Sequence, residues 1–236
     1  MMESETDETY FDASFFVDES YVTKEFVLGP HTIKVMCLQA SSTDFDLTGQ
    51  LIWPGAELLN NYLVQNFHIL QGLSVIELGS GVGLTGLLCA HYCHHVVMTD
   101  HNATVLKVMQ RNADSQTAVG EVECQELEWG NEGHLGHIHD TYPLGFDLIL
   151  GGWLLYQQSS VSPLFKTAKF LMALRPTGTC RFLLGYISRA NSNNALAVTE
   201  ANKHNLLLTK VPGSTKQLCG GTYEGWIYEI SMKREG

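Results

Sequence analysis

Glu77, Gly79, Gly81, Gly83 and Asp100 are the residues whose types and spacing most directly suggest chemistry in this chain. They fall in one run, Val75 to Asp100, that reads as strand, glycine loop, helix, strand and acid. Glycines so placed let backbone come close to a ligand. An acid at the tip of the second strand can accept hydrogen bonds from ribose hydroxyls, so the run implies a nucleoside site. Gly81-Val82-Gly83-Leu84-Thr85-Gly86 also satisfies the pattern G-x-G-x-x-G, which alone would admit a nicotinamide or flavin. Glu77 argues against both, because strand alternation sets it where a pyrophosphate would lie. No Lys or Arg occurs between Lys34 and Lys107 to help hold a phosphate. S-adenosylmethionine carries a sulfonium and an ammonium and no phosphate, and it suits this acidic cradle better.

Two aromatic groups extend the pattern. Trp129 follows a third strand and can stack on adenine. The apolar strand Phe146 to Gly152 ends in two glycines, which allow a close approach at its carboxyl end, where ligands of open parallel sheets lie. Trp153 and Tyr156 therefore stand at or just past a reaction centre, and their faces could hold an ammonium.

The elements that must position these groups follow from periodicity. Strands are expected at Ser74 to Leu78, His95 to Asp100, Val119 to Leu127, Phe146 to Gly152, Thr179 to Tyr186, Leu206 to Val211 and Thr222 to Ser231. Helices are expected from Leu84, over Ala103 to Asn112, Val161 to Leu174 and Asn191 to Lys203. This alternation predicts an α/β, Rossmann-like, seven-stranded and mostly parallel sheet with helices on both faces and a reversed last strand. Two β-rich runs around Gly29-Pro30-His31 predict an N-terminal hairpin over 21–38, and a helix is expected over Ala56 to Val64, with Trp53-Pro54 at its entry. Residues 1–20 hold seven acids and no base, an acidic tail expected to be flexible; 21–236 reads as a single domain.

A net charge of -11 and a pI near 5.3 argue against nucleic acid as a partner and favour a protein with a basic surface. Six scattered cysteines read as reduced thiols of an intracellular protein. The apolar runs are too short to cross a bilayer. His134, His137, His139 and Asp140 lie in a polar insertion, Asn131 to Gly145, expected to be a surface loop and not a metal site.

Glu77-Leu78-Gly79-Ser80-Gly81-Val82-Gly83 resembles the first motif of the class I S-adenosylmethionine-dependent methyltransferases. Three further pieces resemble their family 16, the methyltransferase-21-like protein-lysine methyltransferases: Gly49-Gln50-Leu51-Ile52-Trp53-Pro54, Leu127-Glu128-Trp129-Gly130 and Phe146-Asp147-Leu148-Ile149-Leu150-Gly151-Gly152. The resemblance runs roughly from Lys24 to Tyr228. It implies a lysine N-methyltransferase acting on a non-histone protein in the cytoplasm or nucleus, with S-adenosylmethionine converted to S-adenosylhomocysteine. Carried over residue by residue, it sets Trp53, Glu77, Gly79, Ser80, Gly81, Asp100, Trp129 and Gly152 at the cofactor, and Tyr156 and Trp153 at the acceptor. One departure is plain. Where the family has Asp-x-x-Tyr, this chain has Trp153-Leu154-Leu155-Tyr156, which leaves a non-lysine acceptor, or a cofactor-binding interaction module with little catalysis, as alternatives.

Overall fold

The computed structural model describes residues 21–39, 49–116, 120–175, 178–188 and 191–233, with the side chains of 191–193 left aside. The acidic stretch 1–20 lies outside the described residues. The hairpin comes first: β1 (Tyr21–Leu28) pairs antiparallel with β2 (His31–Leu38) in a sheet of its own. Helix α1 (Pro54–Gln65) begins with Pro54 in its first turn, where a missing N–H costs nothing.

The main sheet then builds outward from its centre. The first of its strands in the chain, β3 (Ser74–Glu77), is followed by α2 (Leu84–Cys89), β4 (His95–Asp100), α3 (Ala103–Asp114) and β5 (Glu121–Glu126). After α4 (Glu132–Thr141) the chain returns to the other side of β3 with β6 (Leu148–Gly152). It continues through α5 (Val161–Leu174), β7 (Arg181–Ser188), α6 (Asn191–Lys203), β8 (Leu206–Lys210), β9 (Lys216–Leu218) and β10 (Tyr223–Met232). The order is β5-β4-β3-β6-β7-β10-β8, with β9 paired to β10. Pairs from β5 to β7 are parallel, and β10 runs antiparallel to both β7 and β8. The expected reversed last strand is present, and the three-residue β9 is one strand more than the sequence suggested.

Alternation along the strands separates two cores. Val75, Leu148, Leu150, Leu183 and Ile227 face α1, α2, α3 and the hairpin, whereas Ile76, Ile149, Phe182, Leu184 and Ile230 face α4, α5 and α6. Strands buried on both faces read as continuous apolar runs, which is why β3, β4 and β6 were visible in the sequence. Each fully buried Leu, Ile or Phe in these layers contributes about 1.5–3 kcal/mol of transfer free energy.

The insertion Asn131 to Gly145 is a helix, not the expected loop. Asn131 caps α4 by accepting from the Gly133 and His134 amides at 3.0 and 3.2 Å, and Leu135 and Ile138 bury one face against α5. His134 uses Nδ1 to accept the Glu128 amide at 3.0 Å, and His139 pairs with Asp140 at 3.0 Å. Among the described residues no group of three His, Cys, Asp or Glu side chains is arranged to hold a metal ion. No described helix is long and apolar enough to cross a membrane.

Candidate active site

Beyond the carboxyl ends of β3, β4 and β6, where the order of the sheet reverses, lies a cavity of about 710 Å³. That size falls within the ~300–1,000 Å³ of small-molecule sites. Trp53, Glu77, Gly79, Ser80, Gly81, Asp100, Trp129, Gly152, Trp153 and Tyr156 all line it, whereas Gly83, the third glycine of the loop, lies off the lining against Met98 and Met109.

Glu77 closes β3 with its side chain buried at 3% exposure, and its Oε2 accepts the Gly86 amide of α2 at 2.9 Å. Burial pushes its carboxyl up to about 7, against hydrogen bonds from Ser80, Thr85 and Gly86 that pull it down; Asp100 adds to the rise. Near neutrality Glu77 is thus shared between its acid and its anion, whereas the sequence suggested a fixed charge. Through its bond to Gly86, Glu77 occupies one of the amides at the start of α2.

Ser80 ties the loop across the strands. Its hydroxyl accepts from the Thr99 amide at 3.0 Å and donates to the Glu77 carbonyl at 3.2 Å, while its amide donates to the Thr99 carbonyl at 2.8 Å. Gly81 adopts φ 56°, and a Cβ there would lie 2.6 Å from the Gly49 carbonyl oxygen, so only glycine fits both the conformation and the contact. The backbone at Gly49 is therefore laid on the loop. Asp100 accepts Gly81 N–H on Oδ2 at 3.2 Å and the His101 and Asn102 amides on Oδ1 at 2.8 and 3.1 Å. Three of about four lone-pair sites of the carboxylate are occupied.

The Trp129 indole lies alongside the same loop: a Cβ on Gly79 would stand 3.2 Å from its Cζ2. Gly130 fixes that turn by donating to Thr167 Oγ1 at 2.8 Å. Trp153, also on the lining, has φ 60°, a left-handed conformation that costs an L residue about 1–2 kcal/mol. It is held by its amide, which donates to the Gly185 carbonyl at 2.8 Å, and by the Trp53 ring, which it meets edge to face at 4.9 Å. Tyr156 beside it is 42% exposed.

The lining also includes Asn102, Val105, Gln157 and Ser160, which the sequence did not single out, and Gly49, the first residue of the Gly49 to Pro54 motif. Asn102 carried a readable signal, an Asn just before a helical run; it caps α3 by accepting the Thr104 and Val105 amides at 2.9 and 3.2 Å. Gly49 was readable as the start of its motif, but its contact with Gly81 exists only in the folded chain.

A glycine loop braced by two acids and lined by three indoles, two of them paired, can cradle an adenosine-bearing cation. Sequence comparison bears on what such a cradle serves: the profile of the lysine methyltransferase family matches residues 34–199. This chain belongs to the lysine methyltransferase family. Within and around that family, the chain is 32% identical over 117 residues to methyltransferase-like protein 22 of Mus musculus, covering 48% of this chain and 30% of that protein. It is 31% identical over 153 residues to protein N-lysine methyltransferase METTL21A of Danio rerio, covering 62% and 64%. The chain spans less than two thirds of the length of these curated relatives. The lysine methyltransferase fold is shared with the crystal structure of magnesium protoporphyrin IX methyltransferase from Synechocystis with bound SAH, at a TM-score of 0.54 and 15% identity over 82% of this chain and 90% of that one.

Proposed function

We propose that this protein is an S-adenosylmethionine-dependent methyltransferase acting on a lysine side chain of a non-histone protein. The observation that carries the reading is the convergence of Glu77, Gly81, Asp100, Trp129 and Trp153 on one cavity at the point where the sheet order reverses. The residues present fit the cofactor. Gly79, Gly81 and Gly152 offer backbone without side chains, Ser80 holds the loop, Asp100 keeps a lone pair for a ribose hydroxyl, Trp129 and Trp53 offer faces to flat or apolar groups, and Glu77 offers a carboxylate to a cation. When bound, S-adenosylmethionine supplies an activated methyl on a sulfonium, and S-adenosylhomocysteine is the by-product.

The chain's own task is alignment and exclusion of water. A lysine starts near pKa 10.4 in model peptides and must shed its proton to attack. Apolar surroundings push it that way, and the Trp153 and Tyr156 rings can hold the ammonium before that step and the methylated product after it. The charge of -11 supports a partner with a basic, lysine-bearing surface, with no part for nucleic acid or membrane; the setting proposed is the cytoplasm or nucleus.

A second reading is favoured by one observation, Trp153 in place of the family's aspartate: a methyltransferase for a non-lysine acceptor, or a cofactor-binding interaction module. Calorimetry with S-adenosylmethionine and S-adenosylhomocysteine, followed by labelled cofactor in cell lysate, separates these. Heat together with labelled protein whose label maps to lysine is expected. Label on another residue type, or heat without label, selects the second reading, and no heat at high micromolar ligand removes both.

A further inference from the structure

Asn112 sits in the last turn of α3, 2% exposed, and makes three hydrogen bonds to two distant parts of the chain. Its Oδ1 accepts the Met36 amide of β2 at 2.7 Å, and its Nδ2 donates to the Met36 carbonyl at 3.0 Å and to the Val82 carbonyl at 2.9 Å. Met36 belongs to the accessory hairpin, and Val82 lies in the glycine loop and lines the cavity. One planar amide, held flat by the strand it grips, thus fixes the direction of a peptide group within the loop.

We infer that Asn112 is a positioning residue for the cofactor: it locks the Val82 peptide, and through it the loop, to the N-terminal hairpin, so hairpin and cofactor loop order together. The inference rests on the cofactor lying against the glycine loop. Buried polar groups are costly to leave unpaired, so the Val82 carbonyl has no cheap substitute for this donor. A loop already held in its bound conformation loses less freedom when a ligand arrives, and affinity rises accordingly. Gln116 supplies an internal comparison. It also joins the end of α3 to β2, donating through Nε2 to the Lys34 carbonyl at 2.7 Å, and no hydrogen bond from it to the loop is formed.

The test is calorimetry of the full chain with S-adenosylhomocysteine, alongside thermal melts. Asn112→Asp keeps an acceptor for the Met36 amide and loses the donor to both the Met36 and the Val82 carbonyls; its dissociation constant is expected to rise about five- to tenfold, the equivalent of the one hydrogen bond lost to the loop. Gln116→Ala is expected to bind as the wild type does. A lowered melting temperature for Asn112→Asp with an unchanged dissociation constant would overturn the inference and leave Asn112 a structural residue. Should Asn112→Asp fail to fold, hydrogen exchange on the wild type decides. Saturating S-adenosylhomocysteine should slow exchange over residues 31–38 of the hairpin, and unchanged exchange there overturns the coupling. If the wild type itself gives no heat, the cofactor assignment fails and this inference with it; if the wild type binds and both variants match it, only the inference fails.

Discussion

Trp153 stands directly against Gly55: a Cβ built on Gly55 would lie 2.3 Å from the Trp153 Cβ and 3.0 Å from its Cα. The first turn of α1 is therefore cut to the shape of this residue, and the position that departs from the family's aspartate has become part of the packing. Gly55→Ala is expected to destabilise the protein by about 1–3 kcal/mol, as overpacking of a close contact does. Chemical denaturation checks it, and an unchanged midpoint would mean that Trp153 can move aside.

Trp153→Asp restores the family's residue in a left-handed conformation that aspartate tolerates better than tryptophan. Turnover or acceptor choice on labelled lysate should change more than the affinity for S-adenosylhomocysteine. Equal labelling by both proteins would make Trp153 a packing residue.

Glu77 imposes a pH dependence whose sign follows from its raised carboxyl. The folded protein binds the proton more tightly than the unfolded chain, from 4.5 to about 7. Its contribution is therefore full below 4.5 and is lost as pH climbs through about 7, by roughly 3 kcal/mol at the upper bound. Denaturation of Glu77→Gln without ligand should lack that slope. A cationic ligand favours the anion, so S-adenosylmethionine binding at pH 6 to 7 should release protons, read as binding heats that vary with the ionisation enthalpy of the buffer. Buffer-independent heats would place the cation elsewhere.

Asp100→Ala and Trp129→Ala separate two kinds of loss. The first strips the acceptor from the Gly81, His101 and Asn102 amides and should lower both melting temperature and cofactor affinity. The second removes a half-buried ring and should weaken cofactor binding by about 1–3 kcal/mol, the usual worth of a base stacked on an aromatic. Trp129→Phe retaining most of the affinity would support stacking, and no loss in Trp129→Ala would place the adenine away from this indole.

Thiol chemistry offers a check on the cores. Burial pushes the Cys124 and Cys180 thiols up to about 12 and raises Cys37, the Cys93 hydrogen bond together with burial raises Cys89, and Cys219 is exposed. A disulfide reagent at pH 8 should label one thiol quickly in the native protein and the others only on unfolding. Fast modification of Cys89 or Cys180 would mean the sheet opens more readily than its packing implies.

Much of the frame was legible because burial on both faces leaves unbroken apolar runs; β4, α5 and α6 begin and end where periodicity places them. The cradle was legible because glycines and acids at fixed spacing do their work locally. What escaped was tertiary. Residues Lys216 to Leu218 form a strand only because β10 is there to pair with, and three residues carry no period. Helix α4 was hidden by two glycines and three histidines, and its identity rests on Asn131, Leu135 and Ile138. The grip of Asn112 and the crowding of Gly55 by Trp153 join residues far apart in sequence, and no local pattern announces them.

The contact between Gly49 and Gly81 has a genetic corollary. A shortened isoform beginning after Gly49 would keep every strand of the large sheet and the whole glycine motif, yet it would be missing the piece of backbone that closes one side of the cleft. It would also be deprived of Ile33, Val35 and Cys37 in the core and of the Met36 anchor for Asn112, so an intact motif would be carried on a cleft left without its brace.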